Sequence, residues 1–290
     1  GTITNKIARL NANGTIDTTF NPGTELNNSV LTTSIQSDGK IIVGSASYIN
    51  LTGNDNYWIT RRNTNGTLDN SFTTSLNIWG LGSIGSVTCS AIQNDGKILI
   101  GKTFTYTNSS TSYSIERLNA NGTTDDSFSS QFVNGPIYTI SIQSNGKIIF
   151  SGSFNQLNPN AGTVNNQRIL RLNSNGTRDL TFIAGTGPAS NYPIVGSVHT
   201  SSIQSDGKII IGGNFNKYNV TGRNRIARIN GDLTLSNPSF DLSTTIIYPN
   251  PSNGYFNIKV EDLIGTENIE VYSILGVKVY SNSIVENEST

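Results

Sequence analysis

Four glycines, Gly39, Gly96, Gly146 and Gly207, stand in the same short phrase of sequence and recur 57, 50 and 61 residues apart. The phrase is Ser34-Ile35-Gln36-Ser37-Asp38-Gly39-Lys40-Ile41, and it returns at 91–98, 141–148 and 202–209. A second phrase, Arg9-Leu10-Asn11-Ala12-Asn13-Gly14-Thr15-Ile16-Asp17-Thr18-Thr19-Phe20, returns as Arg61–Phe72, Arg117–Phe128 and Arg171–Phe182. A decayed copy runs from Arg228 to Phe240 and lacks the Asn-Gly-Thr core. Recurrence at this period means that one supersecondary unit is repeated, each copy burying its apolar faces against its neighbours.

Each copy reads as four short β-strands. Val30–Gln36 is the first, and Asp38-Gly39 predicts a two-residue type I′ turn into the second, Lys40–Gly44. The third strand is Ile7–Asn11 in the first copy and Ile169–Asn173 in a later one; Asn-Gly turns it into a fourth that ends at the repeated phenylalanine. The second strand is apolar on both faces, as in Ile41-Ile42-Val43 and Ile209-Ile210-Ile211. A strand buried on both sides belongs to sheets stacked face to face, which radially arranged blades provide. Phe20, Phe72, Phe128, Phe182 and Phe240 are expected to fill the space between blades, each contributing roughly 1.5–3 kcal/mol. Lys40, Lys97, Lys147 and Lys208 read as solvated residues flanking a turn.

Composition narrows the function. Lysine plus arginine equals aspartate plus glutamate at 19 each, and without a basic run nucleic acid is not an expected partner. No stretch approaches the roughly 20 apolar residues of a membrane helix, so no membrane span is expected. One cysteine rules out an internal disulfide framework. The chain contains no methionine and opens on Gly1-Thr2-Ile3-Thr4 rather than a leader, so it is read as a fragment.

These phrases resemble the delta-60 repeat family of bacterial β-propellers, over about residues 5–240. Ile210-Ile211-Gly212-Gly213-Asn214-Phe215 and Phe150-Ser151-Gly152-Ser153-Phe154 carry its closing part, while Gly44-Ser45-Ala46 and Gly101-Lys102-Thr103-Phe104 depart from it. The resemblance implies an all-β propeller of four-stranded blades, with four full repeats and an N-terminal half-blade over 1–241. Either the circle is incomplete, or five blades close with the half-blade at the seam.

After Phe240 the pattern changes. Tyr248-Pro249-Asn250-Pro251, Asn253-Gly254 and Phe256, followed by Ile269–Val279, resemble the type A C-terminal sorting domain of type IX secretion. Strands are expected at Tyr255–Val260, Ile269–Tyr272 and Val277–Tyr280, in a small β-sandwich-like domain over 242–290 that stops short of the family's last strands. The resemblance implies handling by the type IX secretion machinery and a secreted or cell-surface protein at the outer-membrane exterior.

Catalysis needs convergent ionisable groups. His199, the sole histidine, falls where the other repeats have Leu31, Thr88 and Tyr138; Cys89 falls where they have Thr32, Thr139 and Thr200. Asp17, Asp69, Asp125 and Asp179 recur in register, as do Asp38, Asp95 and Asp206, which points to turn chemistry. Asn54-Asp55-Asn56 is a weak cation candidate. No catalytic residue, metal or cofactor is therefore expected. The inter-strand loops carry Tyr48, Tyr57, Trp58, Tyr106, Tyr113 and Tyr218 among asparagines and threonines, a mixture suited to glycans. Trp79, in an inter-blade connection, is assigned to packing. Three functions remain open: a binding or adhesion module for glycans or surface proteins, a carboxylate-based glycan hydrolase or lyase using non-repeated acids such as Glu25, Asp55 or Glu116, and a structural spacer.

Overall fold

The computed structural model describes residues 6–24, 26, 28–48, 58–74, 84–106, 108–158, 168–190, 196–231, 245–248, 257–260, 266–272 and 278–285. The described residues form strands and turns, with no helix. By contacts the chain divides into two units, Gly1–Leu233 and Thr234–Thr290. The boundary expected at 241/242 lies outside the described residues.

The described residues of the first unit include four antiparallel blades, preceded by the half-blade whose Leu10 bridges Ile16. The first blade is β1 (Val30–Ile35), β2 (Ile41–Tyr48) and β3 (Ile59–Arg62); the second is β4 (Ile84–Ile92), β5 (Ile98–Thr105) and β6 (Thr111–Leu118), with β7 (Gln131–Val133) added to its edge. The third blade is β8 (Ile137–Ile142), β9 (Ile148–Gly152) and β10 (Ile169–Leu172). After β11 (Pro188–Ala189), the fourth blade is β12 (Ser197–Ile203), β13 (Ile209–Asn214) and β16 (Ile226–Ile229). Between its last two strands, β14 (Lys217–Tyr218) and β15 (Thr221–Gly222) form a hairpin that pairs with β11. The second unit contains two separate hairpins, β17 (Thr245–Tyr248) with β18 (Asn257–Val260), and β19 (Thr266–Tyr272) with β20 (Lys278–Val285).

Two expectations about local structure are corrected. The fourth strand is reduced to a single bridge in each copy, Leu10 to Ile16, Arg62 to Leu68, Leu118 to Thr124 and Leu172 to Arg178. The Asp-Gly turn is not type I′, because among its central residues only the glycine has positive φ: Gly39 at 80°, while Asp38 does not. The Gly39 N–H donates to the Gln36 carbonyl at 2.9 Å and the Gln36 N–H to the Lys40 carbonyl at 2.8 Å. This is a three-residue loop closed by a left-handed glycine, and Asp38 Oδ1 accepts from the Lys40 N–H at 3.0 Å in place of adopting positive φ itself.

Each blade interface has its own apolar cluster. The middle strands are buried on both faces, with Ile98, Leu99, Ile100, Ile148, Ile149 and Phe150 all at 0% exposure. Ile42, Trp58 and Ile59 pack with Val87, Ile98 and Phe104 between the first two blades. Cys89, Leu99 and Phe128 meet Ile137, Ile148 and Phe150 between the second and third, and Ile149, Ile169 and Phe182 meet Val198, Ile209 and Phe215 between the third and fourth. Innermost strands also touch through hydroxyls, Ser34 with Ser90 at 2.7 Å and Ser141 with Ser201 at 3.0 Å.

The repeated Arg, Asp, Lys and Phe form one ionic staple in each of the first three blades. In the second blade Arg117 Nε donates to Asp125 at 2.7 Å, and Lys97 reaches the same carboxylate oxygen at 2.9 Å. Arg61 and Lys40 hold Asp69 in the same way in the first blade, and Arg171 and Lys147 hold Asp179 in the third. The guanidinium lies over the repeated phenylalanine, 4.7 Å from the Phe128 centroid and 5.0 Å from those of Phe20, Phe72 and Phe182. Its free edge donates to a turn carbonyl of the next blade: Arg61 to Ala120 at 2.7 Å, Arg117 to Ser174, and Arg171 to Gly231. The three lysines are thus ion-paired and only about 30% exposed, not solvated as the sequence suggested. Lys208 alone is an exposed residue, paired with Asp206.

The same turns explain why Asn-Gly is repeated. Backbone N–H groups of Asn21, Thr73 and Ser129 donate to the carbonyls of Asn65, Asn121 and Asn175 across the interfaces. Gly176 has φ of 88°, and a Cβ there would sit 2.5 Å from the Ser129 carbonyl oxygen, so both conformation and approach require glycine.

All three stapled carboxylates are held well below the ordinary value. At Asp69 the Lys40 hydrogen bond is the largest cause; at Asp125 and Asp179 burial raises the value but is outweighed by the lysine, hydroxyl, backbone and arginine contacts. Depressed folded-state values mean stability that is complete above the unfolded carboxylate value of about 3.9 and withdrawn as pH falls below it. The urea midpoint is therefore expected to hold steady down to about pH 5 and to fall through pH 4 and below. Asp125→Asn, which leaves Arg117 and Lys97 without their shared anion, should lose roughly 3 kcal/mol at neutral pH and flatten that acid slope. Asp206→Asn, at the exposed pair, should leave the midpoint unmoved.

Candidate functional site

The loop aromatics divide by burial. Trp58 is 3% exposed, 5.4 Å from the Phe104 ring and directly over Gly85, where a Cβ would clash with the indole. It is a core residue of the first interface, and its Nε1–H has no partner among the described residues. Tyr106 is 38% exposed and stands edge-on to Phe104 at 4.6 Å. Tyr113 lies half-buried in β6 against the second interface cluster. Tyr218, also half-buried, donates its hydroxyl to the Ala184 carbonyl at 3.0 Å, and burial pushes its pKa up to about 12. Tyr48 ends β2, while Tyr57, Trp79 and Asn54-Asp55-Asn56 lie outside the described residues.

The isolated ionisable groups are likewise defined by their surroundings. Cys89 is 5% exposed, and burial pushes its thiol up to about 12, the reverse of an activated nucleophile. Glu116 accepts from Lys102 at 2.7 Å and from the Ser114 hydroxyl at 2.8 Å. Glu25 and Asp55 lie outside the described residues. Among the described residues no three His, Cys, Asp or Glu side chains converge on a metal position.

His199 occupies a β-bulge. In each inner strand the register slips between the same two positions, leaving Leu31, Thr88, Tyr138 and His199 as the extra residue. His199 stacks on Tyr138 of the neighbouring blade with centroids 5.0 Å apart, and its Nε2 lies 2.9 Å from the Ser197 hydroxyl.

Two cavities differ in charge. One, of about 240 Å³, is lined by Arg61, Asp69 and Phe72 and so belongs to a staple, its cation neutralised. The other, of about 320 Å³, lies where Thr181 and Ile183 of the third repeat approach Tyr218, Asn219, Arg223 and Arg228 of the fourth. Its described lining has two arginines and no carboxylate. The sequence signal for it is present: from 208 to 231 the chain carries Lys208, Lys217, Arg223, Arg225 and Arg228 and no acid, a local excess that the neutral whole-chain balance conceals.

With this geometry in hand, comparison decides the family. Residues 1–20, 36–72, 93–128, 143–182 and 204–236, more than half of the chain, match the family described as "Domain of unknown function (DUF5122) beta-propeller". The chain belongs to the DUF5122 β-propeller family. The matched spans begin and end on the repeated turns, in step with the blades. Residues 246–290 match the family described as "Secretion system C-terminal sorting domain". The chain is therefore a secreted or cell-surface protein handled by the type IX secretion machinery. No curated protein matches it. Of the sorting motif, Tyr248 ends β17 opposite Asn257, while Pro249, Asn250, Pro251, Asn253, Gly254 and Phe256 lie outside the described residues. Among the described residues no helix is long and apolar enough to cross a membrane.

Two measurements separate core from surface among these residues. Trp58→Ala should cost roughly 3–5 kcal/mol in urea unfolding, whereas Tyr106→Ala should cost less than about 1 kcal/mol. Cys89 should resist iodoacetamide in the folded chain and alkylate fully once urea unfolds it.

Proposed function

We propose that this DUF5122 propeller is a non-catalytic binding scaffold, carried out by its sorting segment and displayed at, or released from, the outer-membrane exterior. One observation carries the reading: the repeated ionisable residues are engaged with one another inside the blade staples. Asp69, Asp125 and Asp179 each hold an arginine and a lysine, which leaves them no free pair of carboxylates for acid–base work. Variation is concentrated instead at the loops and the bulge positions, where a rigid frame can present side chains to a partner. Exposed Tyr106 and the Tyr138–His199 stack are aromatic faces of the kind that sugars and protein side chains pack upon.

The test uses the full chain on a glycan array and against purified surface proteins, with bound glycans then assayed for new reducing ends. Selective binding without new reducing ends is the expected result. New reducing ends would replace this reading with a carboxylate-based hydrolase, and a folded chain that binds neither glycans nor proteins would leave a structural spacer.

A further inference from the structure

In the first three complete blades, and in the half-blade before them, the repeated arginine meets the aspartate eight residues later: Arg9 with Asp17, Arg61 with Asp69, Arg117 with Asp125 and Arg171 with Asp179. The fourth blade breaks the rule. Eight residues after Arg228 stands Ser236, and three before Phe240, the aspartate's other reference point, stands Asn237. Arg228 keeps its place in β16, paired with Ile210 of β13, yet it is exposed, and no described residue holds its guanidinium by an ion pair or hydrogen bond. Its charge is felt at longer range by Asp206, whose value is lowered first by the Lys208 hydrogen bond and further by Arg228.

The cavity of about 320 Å³ is lined by Arg228 together with Thr181, Ile183, Tyr218 and Asn219. Arg223, exposed, its guanidinium donating to the Gly222 carbonyl at 2.9 Å, lines it as well. The wall is held in shape by the β14–β15 hairpin. The Tyr218 hydroxyl anchors it to Ala184, and the Gly187 N–H donates to the Asn219 side chain at 3.0 Å. Asn219 itself is kept at φ of 53°, a conformation that asparagine tolerates better than most residues. Thr181, Thr221 and Asn219 supply hydroxyl and amide groups, and Tyr218 and Ile183 supply apolar surface.

We infer that this cavity is a binding site for an anionic saccharide, a sugar bearing a carboxylate or a sulfate. Two guanidinium forks, with no carboxylate in the described lining, match a planar or tetrahedral oxyanion. The volume is that of a small-ligand site, and the mixture of hydroxyl, amide and apolar lining is what a sugar ring requires once its charge is held. The inference rests on the binding-scaffold reading and gives it a ligand class.

The experiment is calorimetric titration of the full chain with three probes: an oligogalacturonide, a sulfated disaccharide and a neutral oligosaccharide of similar length. The wild type should bind at least one anionic probe at least tenfold more tightly than the neutral one, with affinity falling as salt rises. Arg223→Ser with Arg228→Ser should abolish that preference. Arg225→Ser removes a nearby charge outside the cavity lining and should leave the preference intact. Thermal melts of all variants establish folding. Preference for the oligogalacturonide identifies a carboxylate site, and preference for the sulfated probe a sulfate site. Equal weakening by Arg225→Ser would show diffuse surface attraction and overturn the site, as would undiminished binding in the double variant. Absence of anionic preference would overturn it too. If the chain still binds neutral glycans or proteins, the scaffold reading survives that outcome; if it binds nothing, both readings fall.

Discussion

The arginine at the head of every repeat but the last joins one blade to the next. Its Nε is fixed by its own aspartate, its face by its own phenylalanine, and its remaining edge by a carbonyl of the following turn. A guanidinium suits this position because it offers donors in one rigid plane and keeps its charge at any relevant pH. Lysine completes the group as a second cation on the same carboxylate oxygen. A buried ion pair is a weak source of net stability, because desolvation offsets most of the attraction. Here its consequence is registry: the turn that receives the arginine must lie at one height and one distance, so adjacent blades cannot slide. The Asn-Gly-Thr turn and its close-approach glycine are the receiving half of the same joint.

Given that joint, the remaining energetics follow from stacking. Middle strands are apolar on both faces because each meets a neighbour on both sides, and their isoleucines reach zero exposure. The third strands locate the reason. Ile226, at the position of Ile59, Ile115 and Ile169, is 60% exposed where those three are at 1% or less. No described blade covers it. The residue type is the same, so burial here is a property of the interface and not of the strand.

Much of this was legible in the sequence. The repeat period and the doubly buried strand follow from spacing and periodicity, and the propeller blades and the sorting segment from motifs that resemble known families. What was misread shares one cause. Lys40, Lys97 and Lys147 look solvated because each follows a turn glycine, yet their partners Asp69, Asp125 and Asp179 lie about thirty residues on, a pairing that only the folded hairpins create. The Asp-Gly dipeptide names a turn but not its type, which depends on where the flanking strands resume pairing. Trp58 was counted among the loop aromatics because it precedes β3 without alternation, while the blade behind it, through Gly85, gives the indole a pocket of its own. The bulge was invisible for a related reason: an extra residue in one strand changes no spacing that a single sequence displays.

The decay of the last repeat carries a different kind of information. Losing Asn-Gly-Thr and the staple aspartate removes what fixes an arginine in every other copy, yet Arg228 itself persists. A position held only by its structural role would be free to change once its partner was gone. An exposed cation beside a second arginine, at the rim of a cavity with no acid in its described lining, has a different environment from its four counterparts. In a neutral chain this is the one segment of two dozen residues where five cations stand without a carboxylate. Broken symmetry is where a repeat protein distinguishes one face from the rest, because an intact repeat offers the same chemistry in every blade. The fourth blade is thus the part of this propeller in which the repeated arginine is exposed instead of being turned inward, toward the next blade.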